Sequence, residues 1–146
     1  MLTSKQHRQL RQYNRIGLTQ QLQNLRQSVP SGQGQIERHA TLVWEYPARP
    51  SPMGRVYQIR ITYKLGKLPQ SYVLDTSIGE LAGGRKIPHL YSQNEQKLCL
   101  FYPRHGEWNE TMWLSVSIVP WVSTWLFYFE EWLVSDDWKG GGIHPG

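Results

Sequence analysis

Residues 4–27 carry apolar positions at a helical spacing. Leu10, Tyr13 or Asn14, Gly17 or Leu18, then Leu22 and Leu25 fall near one stripe, set among Gln and Arg. Gln, Leu and Arg are good helix formers. Thr3 followed by Gln6 fits a capping box at the start, and Gly17 weakens the middle. The Gly, Ser and Pro of residues 28–35 mark a loop. The period then changes to two. Ile36, Ala40, Leu42, Trp44 and Tyr46 alternate with Glu37, His39, Thr41 and Glu45. After a turn over 47–54, Tyr57, Ile59, Ile61, Tyr63 and Leu65 alternate with Gln58, Arg60, Thr62 and Lys64. A turn at 66–70 leads to a short third strand, 71–75. Three successive strands with short turns predict an antiparallel meander.

Residues 76–111 show no strong period and hold Gly79, Gly83, Gly84, Pro88, Pro103 and Gly106. A loop of this length inside a compact domain is usually functional or disordered, and this one contains Cys99, the single cysteine. A second helix follows over 117–134, with Ser117 suited to the N-cap and Pro120 to the first turn. Its apolar stripe is Val122, Trp125, Leu126, Phe129 and Leu133, and Trp121, Trp125 and Trp132 read as core or partner-facing aromatics. The last residues predict no further helix, and no internal repeat is visible. Helix, meander, long loop, helix is an α+β order, expected as one domain over 1–146.

Composition narrows the function classes. Seven Trp and eight Tyr supply enough apolar area for a real core in 146 residues. No apolar run reaches the length of a membrane span, and the polar, basic first residues lack the apolar stretch of a signal peptide. One cysteine makes neither an internal disulfide nor a thiolate-rich metal site, so the default expectation is a reducing, cytoplasmic compartment with no metal, cofactor or membrane. The charge is uneven. Lys5, Arg8, Arg11, Arg15 and Arg26 stand unopposed in residues 1–30, whereas the remaining 11 basic and 11 acidic residues cancel. That excess reads first as a solvated helix face. With no basic stripe or binding motif elsewhere, nucleic acid is not an expected partner.

The lone cysteine, flanked by Leu98 and Leu100, is either a small buried hydrophobe or a nucleophile. A thiol reacts as thiolate, and Arg104, Lys97 and His105 lie close enough in sequence to lower its pKa. His105 also leaves open a Cys-His hydrolase. His144 reads as a tail residue. Residues 140–142 are a glycine run without the strand and helix of a phosphate loop.

The local residues carry a resemblance. His89-Leu90-Tyr91 stands before Leu98-Cys99-Leu100 with the histidine ten positions ahead of the cysteine, and Trp108 and then a helix follow. This resembles the ubiquitin-conjugating (UBC) family, whose tripeptide is His-Pro-Asn at that spacing. With Val119-Pro120-Trp121, Trp125-Leu126 and Trp138-Lys139-Gly140-Gly141-Gly142, the chain is similar to the bacterial branch found in CBASS antiphage operons. The resemblance implies a UBC-like fold with a shortened C-terminus and a thioester formed by Cys99. It implies a structural role for His89 in the loop. Tyr91 stands at the asparagine position, where it would be the oxyanion donor, and Asn94 is a second candidate. Glu107, Asp136 and Asp137 are the acids available to orient an incoming amine. The implied partner is a cGAS-like nucleotidyltransferase (CD-NTase), carried by its C-terminus and passed to a lysine on a target protein. No adenylating domain fits in the chain, so either a partner activates that C-terminus or Cys99 exchanges directly. Two other readings stay open: a non-catalytic UBC-like scaffold, and a Cys-dependent hydrolase that trims a protein C-terminus.

Overall fold

The computed structural model describes residues 1–75, 77–101 and 106–141, with the side chains of 10–13 left aside. The predicted first helix is two helices, α1 (Ser4–Tyr13) and α2 (Leu18–Ser28). The Thr3–Gln6 capping box forms, with Thr3 N–H donating to Gln6 Oε1 at 2.8 Å and Gln6 N–H to Thr3 Oγ1 at 3.1 Å. The break spans residues 14–17, and the Gly17 N–H donates to Gln20 Oε1 at 2.8 Å at the start of α2, the half of a capping box that a glycine can make. Gln21, Leu22 and Leu25 of α2 are buried.

A six-stranded antiparallel sheet follows, built from β1 (Gln33–Glu37), β2 (Thr41–Ala48), β3 (Tyr57–Tyr63), β4 (Gln70–Val73), β5 (Leu90–Ser92) and β6 (Lys97–Leu98). The spatial order is β1-β2-β3-β4-β6-β5. The alternation running from Ile36 to Tyr46 is therefore two strands, not one. Arg38 and His39 take left-handed backbone, φ 51° and 59°, and turn the chain without a Gly or Pro to announce it. β1 then lies on β2 with Gly34 opposite Trp44. A Cβ at Gly32 would stand 2.6 Å from the Trp44 ring, and one at Gly34 would stand 2.1 Å from the Val43 carbonyl. Side chains larger than hydrogen do not fit there.

In β2 and β3 the alternation sorts the side chains by face. Leu42, Trp44, Tyr46 and Ala48 pair with Tyr63, Ile61, Ile59 and Tyr57, and all eight are buried. The opposite face carries Glu45 and Arg60, joined at 3.0 Å. Helix α2 packs on β1 and β2. Helix α4 runs as Ile118–Ser135 and buries Ile118, Val122, Trp125, Leu126, Phe129 and Trp132 along one stripe. A short 3-10 turn, Leu114–Val116, leads into it. Ser117 holds the N-cap position, but its hydroxyl does not cap: it donates to the Trp113 carbonyl at 2.7 Å and accepts from Trp108 Nε1 at 3.1 Å. Glu130 ties α4 to β3, its Oε2 accepting from Tyr57 Oη at 2.7 Å and from the Arg55 N–H at 3.1 Å. Among the described residues no helix is long and apolar enough to cross a membrane, and none follows α4.

Candidate active site

The stretch 76–111, expected as one long loop, holds the short helix α3 (Ser77–Ala82) and the strands β5 and β6. The chain leaves β4 through α3, forms β5 at the sheet edge, turns at 93–96, and returns along β6 between β4 and β5. Amide side chains stand in for missing ladder bonds. Gln93 accepts from Ile87 N–H at 3.1 Å and donates to Ile87 O at 2.8 Å. Gln96 donates to the carbonyls of Val73, at 2.8 Å, and Asp75, and accepts from Gly79 N–H at 3.2 Å. Thr76 itself lies outside the described residues.

Cys99 is the first residue beyond β6. Its N–H donates to the carbonyl oxygen of His89 at 3.0 Å, closing the open end of the β5–β6 hairpin. The same oxygen accepts a second bond, from Trp125 Nε1 of α4, at 2.9 Å. His89 sits at φ 55°, an uncommon conformation for a residue with a side chain. Its ring is buried 5.1 Å from that of Trp138, which also meets Trp125 at 5.4 Å.

The Cys99 side chain is itself buried. Its sulfur lies 3.8 Å from the Phe101 carbonyl, and the Tyr91 hydroxyl donates to that same oxygen at 3.0 Å. Burial pushes the thiol pKa above the usual cysteine value; the neighbouring Tyr91 hydroxyl works the other way, and the Glu107 carboxylate pushes it up again. Of the basic neighbours expected to depress it, Lys97 does not do so: its ammonium stands over the Tyr91 ring, 5.7 Å from its centroid. Arg104 and His105 lie outside the described residues, as does His144.

The structure brings Cys99, His89 and Tyr91 together and separates the other candidates. Asn94 occupies the tip of the hairpin, at the end away from Cys99, because Leu90 pairs with Leu98 and Ser92 with Lys97. It is not placed to serve as a second oxyanion donor. Asp136 is drawn to Arg85 at 3.2 Å, at the C-terminus of α4, and the Asp137 N–H donates to Ser135 Oγ there. Of the three acids considered, Glu107 is the one whose charge acts on the thiol. A groove of about 230 Å³ lies beside the site, lined by Leu68, Pro69, Tyr91, Leu98, Leu100 and Phe101 among others. Among the described residues no three His, Cys, Asp or Glu side chains gather as a metal site. Sequence reasoning missed Trp125 as a neighbour of the site. A buried indole N–H needs an acceptor, but which carbonyl supplies it follows from the fold alone.

The comparison with known families falls on this same stretch. Residues 21–145 match the family model described as Type II CBASS E2 protein. The chain belongs to that family. No curated protein matches it significantly. The CBASS E2 match spans the sheet, Cys99 and α4, and begins inside α2, so α1 precedes the shared region. The α+β architecture and its antiparallel sheet are consistent with an E2-like fold, and the family gives the chain an E2-like role in CBASS.

Proposed function

We propose that Cys99 of this CBASS E2 protein is an acyl carrier. Its sulfur attacks the carbonyl carbon of an activated protein C-terminus and gives up its proton, the activating group departs with the bonding pair and that proton, and a thioester remains. A neutral amine, from a lysine of a target protein, then attacks the same carbon. The C–S bond breaks, an isopeptide bond forms, and the sulfur regains its proton. The C-terminus belongs to a cGAS-like nucleotidyltransferase of the same system, and its last residues lie in the groove beside Leu98 and Leu100. The protein acts as one domain in the cytoplasm.

The observation that carries this reading is the meeting of the buried Cys99 sulfur and the Tyr91 hydroxyl at one oxygen, the Phe101 carbonyl. A thiol of raised pKa is a reluctant leaving group, which suits a carrier whose thioester must outlast its exposure to water. The Tyr91 hydroxyl is the donor for the charge that develops, on the oxyanion during addition and on the sulfur during expulsion. The Cys99 N–H is bonded to His89 within the hairpin, whereas the Tyr91 hydroxyl serves by turning from the Phe101 carbonyl, to which it donates at rest.

Incubating the chain with the nucleotidyltransferase and its activating partner tests the reading. The wild type is expected to give an adduct that thiol reductants release. Cys99→Ser is expected to give a reductant-resistant ester, and Cys99→Ala none. Conjugates and phage protection that persist in Cys99→Ala would favour a scaffold. A trimmed partner bearing a free carboxylate, seen by mass spectrometry, would favour a hydrolase.

A further inference from the structure

We propose that Trp125 of α4 is a positioning residue for Cys99, acting through the carbonyl oxygen of His89; this rests on the reading of Cys99 as the reacting thiol. A carbonyl oxygen offers two lone pairs, and His89 uses both, one for Cys99 N–H at 3.0 Å and one for Trp125 Nε1 at 2.9 Å. The two donors reach it from different parts of the fold, the end of β6 and the middle of α4. His89 is held at φ 55°, and such backbone persists where its surroundings over-determine it.

The indole is well suited to hold it. Trp125 is buried and stacked on Phe129, with centroids 5.5 Å apart and planes 11° from parallel. Packing therefore fixes the direction of its N–H. Without that donor the His89 peptide keeps one of its two holds. The Cys99 amide bonded to it then loosens, and the sulfur drifts from the Tyr91 hydroxyl and the Phe101 carbonyl that frame it. Trp132 is the natural control. It lies on the same helix and is equally buried, but its ring faces the Arg85 guanidinium at 4.4 Å.

The experiment measures the alkylation rate of Cys99 by iodoacetamide against pH, in the full chain, alongside urea unfolding. Trp125→Phe keeps the ring stack and removes the N–H. It is expected to raise the midpoint of the pH-rate profile and to slow alkylation near neutral pH by about fivefold, roughly what one hydrogen bond is worth. Trp132→Phe is expected to lower stability comparably and leave the profile in place. Tyr91→Phe is expected to absorb the effect, so that adding Trp125→Phe to it changes little further. If Trp125→Phe does not fold, 3-benzothienylalanine at position 125 replaces the N–H by sulfur in the same shape and gives the deciding profile. A profile unmoved by loss of the N–H, or moved equally by Trp132→Phe, overturns the proposal. Failure of the wild type to form a thioester would instead sink the carrier reading and leave the alkylation result standing.

Discussion

The β2–β3 hairpin and the segment from α3 to Cys99 lie in the same sheet and are built by different means. In the hairpin, every second side chain points inward, the ladder is continuous, and eight buried residues face one another across it. In the segment, β6 is two residues long, and β4 and β5 meet it through one or two residue pairs each. Side-chain amides and an indole replace the ladder there: Gln93 on Ile87, Gln96 on Val73 and Gly79, Trp125 on His89. Apolar alternation makes the sheet stable, whereas directed polar side chains give the thiol its place. A backbone released from the ladder can turn through His89 and present Cys99 at the sheet's end; a regular strand could not.

The largest way to test that division is to damage the hairpin. Trp44→Ala removes a fully buried indole packed against Gly32 and Gly34. It is expected to cost about 4 kcal/mol in urea unfolding, while the folded fraction keeps its Cys99 alkylation rate. A change in that rate per folded molecule would break the division. Next comes Gln21, fully buried, which donates to Met112 O at 2.9 Å and accepts from Leu114 N–H at 3.0 Å. Gln21→Leu fills the space but orphans two backbone groups. A loss of about 2 kcal/mol is expected, with faster hydrogen exchange at Leu114. If Leu is tolerated without loss, the Gln21 amide is not what holds the turn at 112–114 to α2.

A smaller effect concerns the thiol. Alkylation is expected to rise with pH through a midpoint above that of an ordinary cysteine, because burial disfavours the thiolate. Tyr91→Phe removes an influence that lowers the pKa, so its midpoint moves higher and the neutral-pH rate falls. Glu107→Gln removes one that raises it, so its midpoint moves lower. Equal shifts in one direction would contradict the assigned causes. The smallest effect belongs to the outer face. Arg60→Ala breaks the half-exposed pair with Glu45 and is expected to change stability by about 0.5 kcal/mol or less, which thermal unfolding can bound.

Legibility in the sequence follows the same division. Tyr57 to Tyr63 and the α4 stripe could be read directly, since burial on one face imposes a period. The β1–β2 turn could not, because Arg38 and His39 adopt a conformation that their residue types do not advertise. Strands β5 and β6 are too short for a period to show. Cys99, His89 and Tyr91 are the residues that the family resemblance singles out, and the structure sets them close together. The thiol's raised pKa was missed, because nearness in sequence to Lys97 says nothing about how deeply the sulfur is buried.

The return of the chain along β6 also makes the site a matter of parity. Lys97 stands over the Tyr91 ring, Leu98 enters the core, and Cys99 again meets Tyr91. One extra residue in the turn at 93–96 lengthens a loop remote from the sulfur. The same insertion between Lys97 and Cys99 exchanges odd for even, sends the thiol to the opposite side of the sheet, and leaves the composition of the neighbourhood almost untouched. Between Lys97 and Cys99 the number of residues matters as much as their kind.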